Sequence, residues 1–471
     1  MFYVIPLFRI LFRICMTRRK NIILIIASIG IFVEALDIAI INLAVPSIQT
    51  HYGLSSDKVQ WLQTLYVLLY GGFLIIGGKL SDVIGRKNIF IAGAALFLVT
   101  SLGAGLSPSF ELLAFFRAIQ GMAAALIMPA ALSIVTHTFT ETRERSKAIA
   151  IFSSFAAIGS GSGLSLGGLI ATYWGWQWVF FINVPVLMLV LIFAWFALDP
   201  DLKKDIKERP DIISGLLLVI CLLMLSYGVH EIGHIRENYG RLLALFTGVG
   251  LGIYLLKQRL SVHPAPLVDL KLLALPPIIT GIGAFLLLGA FFTGFLFLLS
   301  LMMQKDMSFS AAKAGLLLVP FSILSAAVAK FLLPGLMKKF DVKQTGILGM
   351  ALMVAGGFLL ICSMMSDHYL PLILLSVACV TGLGMTICFT SFSVISVHGI
   401  PSEHYGLASS IASTAYFLGG GLGLSLLSLF IQSSPGINAV TMGPAMVLCL
   451  YACVGLVWML MKQPLAQKQA V

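Results

Sequence analysis

The sequence predicts an all-α integral membrane protein of fourteen transmembrane helices: two six-helix halves with two further helices inserted between them. Three observations predict it. The chain is 59% hydrophobic and only 10% charged, with a mean hydropathy of +1.02 over 471 residues, more apolar surface than a soluble protein can hide. Apolar runs of the roughly 20 residues that a bilayer crossing needs recur along its whole length. The chain also repeats itself: Ile151–Leu166 aligns with Ile411–Leu426 at an offset of 260, and Gly78–Lys87 with a worn copy, Pro334–Lys343, at an offset of 256.

The spans are expected near residues 22–47, 58–79, 88–106, 111–138, 146–171, 178–198, 212–231, 241–257, 277–303, 313–336, 342–364, 369–398, 404–431 and 442–461. The domain expectation follows from them. It has a cytoplasmic segment at 1–21, a first half at 22–198, a linker with two extra spans at 199–276, a second half at 277–461 and a cytoplasmic tail at 462–471. Residues 1–20 carry Arg9, Arg13, Arg18, Arg19 and Lys20 around a short apolar patch with no small-residue cleavage site after it, which argues against a cleaved signal. Met16 resembles a natural start, so residues 1–15 are expected to be either an upstream extension or an interfacial anchor.

Charge sets the orientation. Of the 30 Lys and Arg residues, Lys58, Arg236, Arg241, Lys305 and Lys313 fall on one face of this scheme, while Arg117 and Lys330 fall inside spans. The other 23 share the opposite face, so both termini are expected in the cytoplasm and the protein in the plasma membrane of a bacterium. The same bias accounts for the net charge of +11 without nucleic acid. The seven cysteines lie in apolar surroundings and read as small hydrophobes, so neither a disulfide, a metal nor a cofactor is expected.

The polar stretch Gly78-Lys79-Leu80-Ser81-Asp82-Val83-Ile84-Gly85-Arg86-Lys87 reads as a tight turn between two spans, with Gly78 and Gly85 permitting it. Asp82, Arg86 and Lys87 either set topology or brace the two halves through salt links that break during rocking. Charged groups at membrane depth are costly and so are functional candidates. In the first span, Glu34 and Asp37 sit about 18 and 22 Å from its cytoplasmic end at 1.5 Å per residue and share a helical face. Two close carboxylates away from water disfavour each other's ionisation. Such a pair exchanges protons near neutral pH, as coupling to a proton gradient requires. The plainer alternative is a carboxylate held permanently by an arginine. Arg117, with Gln120 one turn on, lies at a depth matching Asp37.

Gly159, Gly163 and Gly167, followed by Gly168, let a neighbouring helix approach closely. With the repeat at Gly419–Gly423 they suggest a gating seam between halves, ordinary helix packing being the alternative. Lys330 reads as a snorkelling lysine. His230, Glu231 and His234 read as a solvated loop in preference to a metal site. Tyr66, Tyr70, Phe291, Phe292, Phe295, Phe392, Tyr416 and many methionines are candidates for an adaptable apolar pocket.

With these motifs in hand the chain resembles the fourteen-span drug:proton antiporter family of the major facilitator superfamily, over almost its whole length. Leu36–Pro46, containing Asp37 and Asn42, matches that family's first-span motif. Gly78–Lys87 matches its loop motif, Arg117–Gly121 its fourth-span motif, and Trp174–Pro185, containing Asn183, the opening of its sixth span. The resemblance implies the major facilitator fold with binding between the halves. It also implies export of small amphipathic compounds in exchange for protons, through Asp37, Asn42, Arg117 and Gln120, with Glu34 an extra acid beside the family's usual Asp and a further candidate for coupling or substrate contact. The expected partners are a small-molecule substrate, protons and the bilayer, with a monomer as the working unit. One departure stands out: the family's span-five motif Gly-Pro-x-x-Gly-Gly reads Gly163-Leu164-Ser165-Leu166-Gly167-Gly168 here. Import, export of one dedicated metabolite such as a siderophore or peptide, and a non-transporting sensor remain as alternatives. Catalysis is not expected, because no nucleophile–base or metal-ligand spacing appears in the spans.

Overall fold

A computed structural model describes residues 4–201, 211–232, 235–263, 266–268, 270–366, 369–400, 405–432 and 442–461. Lys203, Lys204, Lys207 and His234 lie outside them. Every regular element among the described residues is helical, as a bilayer demands of backbone that cannot bond to water. Fourteen helices are long and apolar enough to span: α1 Arg19–Tyr52, α2 Ser56–Ile84, α3 Arg86–Gly105, α4 Phe110–Thr138, α5 Arg143–Tyr173, α6 Trp178–Ala197, α7 Ile212–Glu231, α8 Asn238–Val262, α9 Pro276–Asp306, α10 Ala311–Lys339, α11 Val342–Met365, α12 Leu370–Val397, α13 Leu407–Ile431 and α14 Met442–Met461. The helix containing α1 begins at Val4.

Local chemistry sets several ends. Ser109 and Ser310 accept from the backbone N–H three residues on, and Asp341 forms a reciprocal capping box with Gln344.

In the first half, α1 packs along α5 and α2 along α4, with α3 between α4 and α6. In the second, α9 packs along α13, α12 and α14, and α11 along α14 and α12. Two helix pairs make the most extensive contacts between the halves, α2 with α13 and α5 with α10, and α1 also meets α9 and α10. The inserted α7 lies against α2 and α13, and α8 packs on α7. Van der Waals fit and polar contacts hold α7 in place. A side chain at Gly72 would meet Val219, one at Gly215 would meet Ile76, and Ser226 Oγ lies 2.5 Å from Ser425 Oγ. At its start, buried Asp211 accepts from Ser214 and from Arg259 of α8. Burial alone would raise this carboxyl, but those hydrogen bonds and the guanidinium outweigh it and hold it below the usual carboxylate range. The anchor is therefore at full strength above that range and weakens as pH falls through it.

The expected polar turn at 78–87 is mostly helix. α2 continues to Ile84 and α3 starts at Arg86, so Gly85 alone breaks the pair, at φ +116°. Gly78 is helical and takes no part in the turn. Gly85 is required twice over: its φ lies where side chains are strained, and a Cβ there would run into the Asp201 carboxylate.

Candidate functional site

The deepest polar cluster of the first half forms where α1, α4 and α6 meet. Asp37 is fully buried and Arg117 is 1% exposed. Arg117 Nη1 donates to Asp37 Oδ2 at 2.5 Å and to Gln120 Oε1 at 2.7 Å. Asn183 donates to Asp37 Oδ1 at 3.0 Å, and Gln120 Nε2 to the same oxygen at 3.3 Å and to Ser101 at 2.8 Å. The guanidinium also lies over the Tyr66 ring, 4.2 Å from its centroid, an attraction strengthened by desolvation. Arg117 keeps Nε and Nη2 free of hydrogen bonds, and the Tyr66 hydroxyl is likewise uncommitted. A buried pair with spare donors beside it can exchange partners when the carboxylate changes charge.

Sequence reasoning brought Asp37, Arg117 and Gln120 together, as the structure does. It named Asn183 only as part of a motif and missed Ser101, which no local signal marks.

Glu34 and Asp37 enter different networks. Glu34 is 4% exposed and accepts a hydrogen bond from Tyr70 of α2, its other oxygen remaining free. The Tyr70 ring packs on Phe417 of α13 at 4.1 Å between centroids, so this acid touches the seam between halves. Asn42 stands apart from both. Its amide bonds back to Ile38 and Ala39 of its own helix, and its carbonyl accepts from Ser300 of α9 at 2.5 Å.

The glycine seam also differs from the expectation of a gate between halves. A Cβ at Gly159, Gly163 or Gly167 would meet the carbonyl of Phe32, Leu36 or Ile40, all on α1 in the same half. Only Gly168 of the four faces the other half, against Ala311. In the second half Gly419 meets Leu286 and Gly423 meets Ala290 on α9, the same device repeated.

The 78–87 motif reaches the end of α6 and the start of the linker. Lys87 Nζ donates to the carbonyls of Trp195 and Leu198, both at 2.8 Å. Asp201 caps α3 through the N–H groups of Lys87 and Asn88, and Lys79 donates to the Pro266 carbonyl. Asp82, Arg86 and Lys87 line a cavity of about 440 Å³ with His137 and Asp199. The expected salt links to the second half are not among these contacts. His230 and Glu231 are buried, not solvated. His230 lies 3.3 Å from Ser428, and Glu231 accepts from Asn238 at 2.8 Å.

Hydrogen bonds joining the halves share one side of the bundle. Among the described residues they are Ser300 to Asn42, Gln304 to Leu43, the Ala312 N–H to Thr172, and Ser322 to Gly161. All lie at the end opposite the 78–87 motif or near mid-depth.

Comparison with known proteins agrees with this architecture. The chain is 28% identical over 414 residues to the multidrug resistance protein Stp of Mycobacterium tuberculosis, covering 88% of this chain and 76% of that protein. It is 29% identical to the lincomycin resistance protein of Streptomyces lincolnensis, covering 87% and 84%. With the cephamycin export protein CmcT of Amycolatopsis lactamdurans it shares 31% over 413 residues, covering 86% and 83%. Among solved structures, a D-xylose–proton symporter superposes with a TM-score of 0.66 at 16% identity, over 96% of this chain and 99% of that one. The family model described as Major Facilitator Superfamily matches residues 27–424, and the chain belongs to that superfamily.

Proposed function

We propose that this protein is a proton-coupled exporter of small amphipathic compounds, working by alternating access between halves at 22–198 and 277–461. The observation that carries the reading is the buried Asp37–Arg117 pair, held with Asn183 and Gln120 at the heart of the first half. Ionised carboxylates in a membrane core persist only with a partner, so protonating Asp37 frees Arg117. The freed guanidinium then changes the charge and shape of the cavity and drives the substrate out. Efflux, in preference to uptake, is supported by what the relatives are named for: drug resistance and export.

The Lys/Arg asymmetry supports a plasma-membrane protein with both termini in the cytoplasm. In that orientation the end sealed by the Ser300–Asn42 and Gln304–Leu43 bonds is the outer one, and this conformation faces inward. A monomer suffices, because both halves of the bundle come from one chain. A second reading, export of one dedicated compound, is favoured by relatives named for lincomycin and cephamycin.

The test is proton release on binding. Purified protein in weakly buffered detergent, given a fluorescent cationic dye, should release protons somewhere in the range of about pH 5–8, where modestly shifted carboxylates titrate. Inverted vesicles should show dye uptake that follows an imposed pH gradient. Binding without proton release at any pH in that range overturns the coupling.

A further inference from the structure

Arg117 is buried with donors to spare, and the helix beside it carries an acceptor to spare. Nε and Nη2 of Arg117 have no hydrogen-bond partner, and neither has Oε1 of Gln63, which is 3% exposed on α2. A buried polar atom left unbonded is destabilising, most of all on a charged group. Orphaned donors and an orphaned acceptor on neighbouring helices point to a bond that forms in another state.

Register brings the two together. Gln63, Tyr66, Tyr70 and Gly77 follow at intervals of three, four and seven residues along one stripe of α2. Tyr66 carries the Arg117 guanidinium on its ring, Tyr70 bonds to Glu34, and a Cβ at Gly77 would meet the Ala125 carbonyl of α4. This stripe is therefore the face of α2 turned to α1 and α4. Depth agrees. A Cβ at Gly121 would meet the Tyr66 carbonyl, and the order of these contacts shows α2 and α4 running in the same direction. Arg117, one turn before Gly121, thus comes level with the turn of α2 from Gln63 to Tyr66.

The other free acceptors of the cluster are tied elsewhere. The Tyr66 hydroxyl lies in the plane of a ring whose face holds the guanidinium. Asn183 is held through Nδ2 to the Asp37 oxygen that Arg117 does not use. Glu34 lies one turn nearer the motif end, where Tyr70 holds its carboxyl.

We infer that Gln63 is a positioning residue of the coupling site: its Oε1 receives Arg117 when Asp37 takes up a proton. Protonation removes the charge that holds the guanidinium, and a guanidinium stranded among apolar groups would oppose that protonation. An acceptor within one turn removes the opposition, so Gln63 sets the pH at which the site loads its proton. The exchange also moves positive charge away from Asp37, towards the sealed end. The charged and titratable groups around it are Glu34 and Asp37 of α1, Arg117 of α4, and Tyr66 and Tyr70 of α2. The inference rests on the proton-coupled reading of Asp37 and Arg117.

The experiment uses the full-length protein in detergent with the fluorescent cationic dye. Gln63→Met keeps the length of the side chain and removes the acceptor. Gln60→Met makes the same change one turn further out, at a buried amide whose two polar atoms are likewise unbonded. Without its acceptor the protonated state is destabilised. The alkaline edge of the pH range in which dye binding releases protons should therefore fall by about one to two pH units in Gln63→Met, as expected for losing a hydrogen bond to a charged group. It should stay in place in Gln60→Met. A second readout needs neither transport nor titration. Asp37→Asn fixes the site in a neutral state, so Gln63→Met should lower the melting temperature further in that background than in the unaltered protein, where Oε1 has no partner to lose. An unmoved edge in Gln63→Met, an equal fall in Gln60→Met, or equal stability loss in both backgrounds overturns the inference. Absence of proton release from the unaltered protein strikes the exporter reading alone, and the melting temperatures then decide the inference.

Discussion

The two halves use one packing device and opposite chemistries. In each, a glycine-rich helix lies against the half's first span: Gly159 and Gly163 on Phe32 and Leu36, Gly419 and Gly423 on Leu286 and Ala290. That register pairs Glu34 with Leu288 and Asp37 with Phe291. In the first half these positions hold two buried acids. In the second, Phe291 is fully buried and stacks on Phe295 at 5.8 Å with an interplanar angle of 15°. The backbone geometry is therefore indifferent to charge, and at these paired positions the penalty of burying ions is taken in the first half. Coupling should reside there, while the second half supplies shape.

The largest effects should come from the ion pair. Removing one partner of a buried pair costs about 3–5 kcal/mol, so Arg117→Ala should lower both the yield of folded protein and proton-driven transport. Asp37→Asn combined with Arg117→Gln removes both charges and should recover thermal stability without recovering coupling. Recovery of proton-driven transport in that double variant would move coupling out of the first half and break the comparison.

The shared device should fail equally on both sides. Gly163→Leu and Gly423→Leu each drive a side chain into a first-span backbone, and overpacking costs typically about 1–3 kcal/mol. Both should lower the melting temperature in detergent by similar amounts. A strong loss for one and none for the other would mean that the seams are not equivalent.

A smaller effect should mark the apolar counterpart. Phe291→Leu keeps most of the volume and should cost under about 1.5 kcal/mol, with unchanged proton release on substrate binding. A shift in the pH profile of that release would place titrating chemistry near the second half as well.

Much of this was legible in the chain, for physical reasons. Span limits follow apolar runs, which the bilayer enforces over every residue of a crossing, so the expected 212–231 matches α7 residue for residue. The meeting of Asp37 and Arg117 was readable from depth alone, because two charges at one level in a small bundle have few other partners. Direction around a helix axis was harder to read. Gly159, Gly163 and Gly167 announce close approach but not to which neighbour, so a seam between halves and packing within one half stayed open until α1 was seen against them. Asn42 sits at functional depth yet bonds to its own backbone. The 78–87 stretch looks like a loop by composition, but a helix end in contact with headgroups tolerates the same residues, and one glycine suffices for the reversal. Tyr70 as the partner of Glu34 lies on another helix, where no spacing rule reaches.

That last pair gives the smallest and most discriminating expectation. Glu34 accepts from Tyr70, whose ring rests on Phe417 across the seam, so through Tyr70 a first-half charge is linked to second-half shape. Glu34→Gln keeps an acceptor for Tyr70 while removing the charge; Tyr70→Phe keeps the ring on Phe417 while removing the donor. Hydrogen bonds between membrane helices average about 0.6 kcal/mol and reach about 1.7, so loss of the bond alone should change affinity about threefold and at most about twentyfold. If Glu34 faces substrate through its free oxygen, Glu34→Gln should weaken a cationic dye relative to its neutral isostere, and Tyr70→Phe should weaken both alike. Proton release on binding should persist in both variants, because Asp37 and Arg117 are untouched. Equal weakening of cation and neutral isostere by Glu34→Gln would reduce Glu34 to a helix-packing group. Loss of proton release in that variant would make it the coupling carboxylate in place of Asp37.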